Sequence, residues 1–524
     1  MTTEQDHIAA RASDVAAPAA SAAVSAELHT LARHSAHYLA GFLGSMALGL
    51  VSFPIFTRVF SVAEYGLLDL AQKVVLFFAA GAKMGLQNAA LRFYDGAQFA
   101  GSPAKARSYY TTMSLGIFGT SAGVACLFLL LSAVFAGSWI DAPLRGLTFW
   151  IAALIVLRAA ESILCAFLRV EERTKAFNVV TVATKAATIL AVCALVPLAG
   201  KTASTYFAGN TFVALTSAVI LFAWLVKRGL IAPHTFDRQL FRVGIAFGLP
   251  LVAYESAFAI LGSVDRFLVQ HYLGANALGL YSVAYGLSQA VNDVLVTPLN
   301  LALMPIYIRL WTSSGQKTTS QFLTMALTYY TVAAIGVLAI AGASADDLIV
   351  CLSTRKYAGA GDLIPVLLAG LLIYTAHLFV AAGLLLHKRT TRMAAILIVA
   401  AFVNISLNCL LLPRLGLWGG AWAALVSYAL CISALWVSSH RLMPLSIDPH
   451  VLWKCGVAGL AAWFVGAGSG FSQPWLRLTG SAAIALVVYG GILLCLDTKL
   501  RHDARRAASW LRNLLRGPLP QDPA

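Results

Sequence analysis

The 524-residue sequence predicts an all-α, polytopic membrane protein of about 14 transmembrane helices, and three observations carry that expectation. Hydrophobic residues make up 59% of the chain and charged residues only 11%, against roughly 25% charged in a soluble domain. The mean hydropathy is +0.78. A water-soluble chain of this length cannot bury so much apolar surface, so the excess must face lipid. The apolar residues also fall into fourteen separate runs, each near or above the roughly 20 residues that cross a bilayer core.

The elements follow in order. Residues 1–35 are rich in Ala and Ser, with scattered charges and no sustained apolar stripe. They are expected to be a disordered cytoplasmic tail, and they lack the basic start and short apolar core of a signal peptide. The first seven runs span 37–57, 66–91, 109–137, 146–168, 176–198, 203–226 and 244–270; the second seven span 278–303, 322–342, 361–386, 391–412, 417–437, 451–471 and 477–496. They divide into an N-terminal lobe of six helices over 36–230, a C-terminal lobe of six over 231–440, and two further helices over 441–497. Residues 498–516, KLRHDARRAASWLRNLLRG, set Leu500, Ala504, Ala507, Leu511 and Leu514 at helical spacing against a basic face. Residues 498–524 are therefore expected to form a basic amphipathic cytoplasmic helix, lying on the anionic inner leaflet, and a tail.

With the N-terminus inside, twenty-four Lys and Arg fall in inner segments and seven in outer ones. The positive-inside rule then puts both termini in the cytoplasm. The same distribution accounts for the net charge of +15, so no nucleic-acid partner is expected. The eight cysteines form no CxxC pair and seven sit in or beside apolar runs, which argues against a disulfide framework or a metal site. No GxxxxGK[ST] or HExxH motif occurs. The longest outer loop, about 343–360, is too short for a catalytic domain despite its Asp346-Asp347 pair. The chain is thus not expected to be an enzyme.

A weak internal repeat links PIFTRVFSVAEYGLLDLAQ, which begins at Pro54, with DRFLVQHYLGANALGLYSVAYG, which begins at Asp265. Each copy carries an Arg near an outer helix end, Arg58 or Arg266, followed by a Gly-led helix at Gly66 or Gly279. The copies are six helices apart and share an orientation, which predicts two parallel six-helix lobes rather than an inverted repeat.

These residues also carry a family resemblance. The segment from Thr57-Arg58 to Tyr65-Gly66 resembles the first-loop signature of bacterial polysaccharide flippases. GIAFGLPL at 244–251, Asp265-Arg266-Phe267-Leu268 with Leu278-Gly279-Leu280-Tyr281, and LPRLGLWGGAWAALVSY at 412–428 resemble their seventh-helix opening, central motif and twelfth-helix start. The chain is similar, from about 37 to 496, to the polysaccharide transporter (Wzx-type O-antigen or exopolysaccharide flippase) family of the multidrug/oligosaccharidyl-lipid/polysaccharide exporter (MOP) superfamily. That resemblance implies two lobes around a central cavity and alternating access. The implied substrate is an undecaprenyl-pyrophosphate-linked oligosaccharide, moved from the inner to the outer leaflet of the bacterial plasma (cell inner) membrane. Implied partners are this polyprenyl-diphosphate-linked oligosaccharide, the lipid bilayer, and a polysaccharide polymerase with its chain-length machinery. Two alternatives within the superfamily are a lipid II flippase, whose cavity should be richer in Arg, and an ion-coupled drug antiporter, which usually has twelve helices and an acid in the first. An O-antigen polymerase or ligase would need a large outer loop, which is missing.

Ten Asp, Glu, Lys and Arg residues lie inside the runs once Asp362, Arg392, Lys454 and Arg477 at run edges are set aside. Each costs about 2.5–3.5 kcal/mol at mid-helix on insertion scales and is a functional candidate by default. Asp69 and Lys73 are four apart, and Arg158 and Glu161 three apart, so each pair shares a helix face and can form an ion pair. Asp265 and Arg266 are adjacent and are not expected to face each other. Lys83 and Lys185 have no acid at such a spacing. They are the leading candidates for a cationic site that offsets the desolvation of a diphosphate, with Arg58, Arg92, Arg158 and Arg266 extending the path. Snorkelling or a distant acid is the competing account. No cofactor is expected beyond a coupling H⁺ or Na⁺, for which Asp293 and Glu255 are candidates; pairing with Lys83 or Lys185 would explain these acids equally well. Tyr281 and Tyr285 share a helix face and read as packing before sugar stacking.

Overall fold

A computed structural model describes residues 40–135, 137, 142–468 and 472–497, with 501, 502, 506 and 509. The tail expected over 1–35, and most of the basic helix expected over 498–516, lie outside the described residues. All regular elements among the described residues are helices: α1 (Ala40–Val59), α2 (Val62–Ala82), α3 (Leu86–Phe93), α4 (Pro103–Val134), α5 (Thr148–Val170), α6 (Thr174–Ala199), α7 (Ala203–Lys227), α8 (Arg238–Leu261), α9 (Val264–Ala343), α10 (Ala345–Leu352), α11 (Ile364–Thr375), α12 (Thr390–Leu415), α13 (Leu417–His440), α14 (Pro449–Ala467) and α15 (Pro474–Leu496), with shorter turns between them. Pro103, Pro449 and Pro474 each open a helix, where the missing N–H costs nothing.

Twelve stretches among the described residues are long and apolar enough to cross a membrane, against the fourteen expected. The difference lies in one stretch, Arg238–Ala343, of 106 residues. At about 1.5 Å per residue it would extend roughly 160 Å, several times the ~30 Å of a bilayer core. It contains three of the expected runs, 244–270, 278–303 and 322–342. Its backbone leaves helical geometry at Gly274 (φ 81°, ψ 178°) and Gly315 (φ 76°, ψ −172°), between those runs. Fourteen is therefore an approximate count. Large apolar side chains on the outside, such as Phe464 and Trp453, are what lipid-facing helices present. The protein is a multi-pass membrane protein.

The described residues form two compact units. The first comprises 40–52, 78–135 and 145–252; the second comprises 53–77, 137, 142–144, 253–468 and 472–497. Residues 53–77 group with the later helices. In the first unit α5 is the central helix, with Ile155, Ala159 and Phe167 fully buried. In the second, α14 and α15 pack on Ala339 through Cys455, Ala458, Ala462 and Ala485, a small-residue interface of the kind that joins membrane helices. Gly466 belongs to this interface and meets Ala343 and Ala485.

Candidate functional site

Lys83 stands at a break in the helical backbone. α2 ends at Ala82 and α3 begins at Leu86; between them Met84 (φ 46°) and Gly85 (φ 69°) are both left-handed. Two consecutive residues in that region cannot continue a right-handed helix. A side chain at Gly85 would also collide with the backbone of Gly248 on α8, so the α2–α3 break and α8 touch main chain to main chain. Gly85 and Gly248 thus pack closely, whereas Gly81 has open space. A broken helix frees carbonyls that lipid cannot satisfy. Here the Thr120 hydroxyl of α4 donates to the Ala82 carbonyl at 2.8 Å. Lys83 itself is half-buried.

Lys185, on α6, is held differently. Its ammonium donates to the Ser45 carbonyl of α1 at 2.7 Å. Gly49, one turn along α1, makes this contact possible: a Cβ there would lie 3.1 Å from the Lys185 Nζ. Glycines 41, 44 and 49 of α1 face Asn178, Val182 and Lys185 of α6, which follow one face of that helix. Among the described residues Lys185 makes no ion pair with a carboxylate. Arg158, in contrast, is neutralised: Nη1 is 2.5 Å from Glu161 and Nη2 donates to Asn210 at 2.8 Å. Arg92 is exposed in the last turn of α3. These four residues lie in the first unit.

Arg58, Arg266, Glu255 and Asp293 lie in the second unit. Arg58 is exposed and donates to the carbonyls of Pro54 and Cys351, each at 3.1 Å. Cys351 and its neighbours are not a plain loop. Residues 345–363 form α10 and a 3₁₀ segment, fastened to α1 by Arg58 and by Lys356, which donates to the Phe60 carbonyl at 2.5 Å. All eight cysteines are free.

Arg266 is only 1% exposed. Its Nε donates to Asp69 at 2.8 Å and its Nη1 to Asp265 and to the Gly262 carbonyl, each at 3.0 Å. Its guanidinium lies 4.0 Å from the centre of the Tyr285 ring. Tyr281 donates to the second Asp265 oxygen at 2.7 Å, and the Tyr285 and Tyr428 hydroxyls are 3.0 Å apart. The expectation that Asp265 and Arg266 do not face each other is corrected. Asp265 is in the first turn of α9, where its carboxylate folds back to accept both the Arg266 N–H and the Arg266 side chain. The pair is also buried. Asp69 forms the expected i,i+4 pair with Lys73, at 3.9 Å, but its shorter bond is to Arg266, 197 residues away. The two repeat copies meet beside this network: a Cβ on Gly66 would lie 2.6 Å from the Gly279 nitrogen. Tyr281 and Tyr285 are both buried in this packing.

Asp293 is half-buried and accepts from the Gln289 amide at 2.7 Å, a neutral partner one turn earlier that spacing alone had not singled out. Glu255 is half-buried on α8.

The sequence profile of the family described as "Polysaccharide biosynthesis protein" matches residues 31–311. No curated protein matches the chain. Similar solved structures include the lipid II flippase MurJ in an inward closed conformation, with TM-score 0.69 and 14% identity over 88% of this chain and 99% of that one. An inward-facing multidrug resistance MATE family transporter of the MOP superfamily has TM-score 0.55 and 13% identity, over 78% of this chain and 97% of that one. A MATE protein in a bent conformation has TM-score 0.51 and 12% identity, over 77% and 94%. At such identities the likeness speaks to the fold, which is MurJ/MATE-like and all-helical. The family profile covers more than half of the chain, and the protein therefore belongs to the polysaccharide biosynthesis protein family.

Proposed function

We propose that this protein flips undecaprenyl-pyrophosphate-linked oligosaccharide repeat units from the inner to the outer leaflet of the bacterial plasma membrane by alternating access. Both termini are then cytoplasmic, and the product passes to a polysaccharide polymerase and chain-length machinery. The observation that carries this reading is the family match over 31–311, a stretch that contains all six candidate cations and both candidate coupling acids.

The geometry supports a division of labour among them. Lys83 and Lys185 are the cargo-facing charges: one sits at a helix break, and the other is held only by a backbone carbonyl. A diphosphate leaving water needs such partners, and charge-assisted hydrogen bonds supply them. Arg58 and Arg92 are exposed and guide the head group at the ends of the path. Arg158 and Arg266 already have carboxylate partners and act through the positions of their helices. Asp293, whose side-chain partner is a neutral amide, is the first choice for binding the coupling H⁺ or Na⁺, with Glu255 the second. The protein's work is binding and movement; no bond in the cargo is made or broken.

The test is translocation in vesicles of purified protein loaded with undecaprenyl-diphosphate-linked oligosaccharide, read as sugar becoming accessible to an added lectin. We expect transfer well above that of protein-free vesicles, and transfer at the protein-free rate would overturn the proposal. Lipid II is a second reading, favoured by the likeness of the fold to MurJ. Transfer of lipid II alone in the same assay would replace the first reading with this one.

A further inference from the structure

We propose that Arg173 and Arg228 form a phosphate-binding pair at one end of the first unit, whose ligand is the head-group phosphate of an anionic membrane lipid. Four helix ends meet there: the start of α4, the end of α5, the start of α6 and the end of α7. The junction is organised by Glu171, in the tight turn between α5 and α6. Glu171 accepts from the Tyr110 hydroxyl at 2.6 Å and from Arg228 Nη1 at 2.7 Å on both of its oxygens, and it forms an ion pair with Arg173 Nε at 2.9 Å. Both guanidiniums also lie against one indole: the Arg173 carbon is 5.1 Å and the Arg228 carbon 4.8 Å from the Trp224 ring centre. Arg107 donates to the Gly229 carbonyl at 3.0 Å and braces the end of α7.

This arrangement fixes two arginines without exhausting them. Arg173 spends its Nε on Glu171 and Arg228 one terminal nitrogen, and their side chains remain 46% and 37% exposed. Arg173 keeps its two terminal nitrogens and Arg228 its Nη2 and Nε, which is the fork geometry that matches a phosphate. Because Glu171 and Trp224 hold the guanidiniums in place, little side-chain freedom is lost on binding. Around the junction, residues 105–107, 171–175 and 227–228 carry six bases against two acids, Glu171 and Glu172, so the field favours an anion even with Glu171 in place. The junction lies where membrane-crossing helices end, next to an indole of the kind that sits at head-group depth. A lipid phosphate, delivered at high local concentration by the bilayer, fits this location better than a dissolved anion. The inference is independent of the cargo, since Lys83 and Lys185 take no part in it.

The experiment titrates the full-length protein in detergent with short-chain phosphatidylglycerol, phosphatidylcholine and inorganic pyrophosphate, reading binding by calorimetry. Phosphatidylglycerol should bind the wild type. Arg173→Gln and Arg228→Gln should each weaken it about fivefold, the effect of removing one base at an anionic surface. Arg173→Lys, which keeps the charge but loses the fork, should fall between. Lipid-free melting temperatures and elution profiles identify variants that are correctly folded. Equal affinity for phosphatidylglycerol in wild type and both Gln variants would overturn the proposal, as would phosphatidylcholine binding as tightly. Tighter binding of pyrophosphate than of phosphatidylglycerol would overturn the lipid as the ligand.

Discussion

Arg266 and Lys185 are both cations within apolar helices, but the protein treats them in opposite ways. Arg266 is fully buried and meets two carboxylates, a carbonyl and an aromatic face, with Tyr281 completing the hydrogen bonding of Asp265. Lys185 is half-buried and has the dipole of one peptide carbonyl. A charge whose Coulomb partners are built in holds helices in register and has little left for a ligand. A charge compensated only by a neutral dipole keeps most of its field, and keeps it at the expense of stability. The difference separates a charge paired with carboxylates from one held by a neutral carbonyl: the question is what else each charge could bind.

The sharpest way to break the comparison is to remove one partner of the network. Asp69→Ala leaves Arg266 buried with one carboxylate fewer and Lys73 without its partner. Such a loss costs about 3–5 kcal/mol, read as a lower melting temperature and reduced monodisperse yield. The double variant Asp69→Leu with Arg266→Met, which removes both charges, should lose less than Asp69→Ala alone. If the single variant were as stable as the wild type, the network would not be holding the fold.

Lys83→Ala and Lys185→Ala should do the reverse. For Lys185→Ala folding is retained, because no buried carboxylate is stranded among the contacts described for Lys185. Translocation falls about ten- to a hundredfold, the value of one charge-assisted bond of roughly 1.5–3 kcal/mol. Wild-type translocation in both variants would remove them from the cargo path. A smaller effect is expected from Asp293→Asn. The new amide can still hydrogen-bond Gln289, so stability should barely move, while the dependence of transport on pH or Na⁺ should flatten. An unchanged profile would dismiss Asp293 and direct attention to Glu255→Gln.

Which of these roles could be read from the sequence depended on the range of the contact. The pairs Asp69–Lys73 and Arg158–Glu161 follow from helical spacing, and both are present at 3.9 and 2.5 Å. The runs themselves follow from hydropathy, because lipid imposes one length on every crossing. The bond that matters more to Asp69 spans 197 residues, and no local pattern carries it. The Asp265–Arg266 contact is not legible in the spacing, because adjacent residues diverge on a regular helix, whereas a first-turn carboxylate is free to fold back onto the backbone. The break at Lys83 had a signal, a Lys-Met-Gly step inside an apolar run, but its meaning depended on Gly248 packing against Gly85. Gly49 likewise gains its role only once Lys185 is placed beside it. Local chemistry announced where charges stand, and only tertiary contacts decided which are already satisfied.

Asp346 offers the smallest effect and a third case for the comparison, a charge set among others of its own sign. It lies outside the membrane-crossing stretches, in the first turn of α10. Partial burial, with Asp362 and Asp347 nearby, raises its carboxyl above the usual carboxylate range, and Arg477 offsets this only in part. Arg477 is engaged instead by Asp347, at 2.8 Å. The folded state therefore holds the Asp346 proton more tightly than the unfolded chain does. Stability contributed by this group rises as pH falls through the folded value and is absent at neutral pH, where the charged form is disfavoured by folding. Asp346→Asn removes that penalty. The variant should melt slightly above the wild type at pH 7, by an amount kept small by solvent screening, and the gap should close as the pH approaches the ordinary carboxylate range. A gap that stays constant with pH would mean that the substitution acts through packing near Gly361 rather than through charge, and that like charges in this segment are already separated by water.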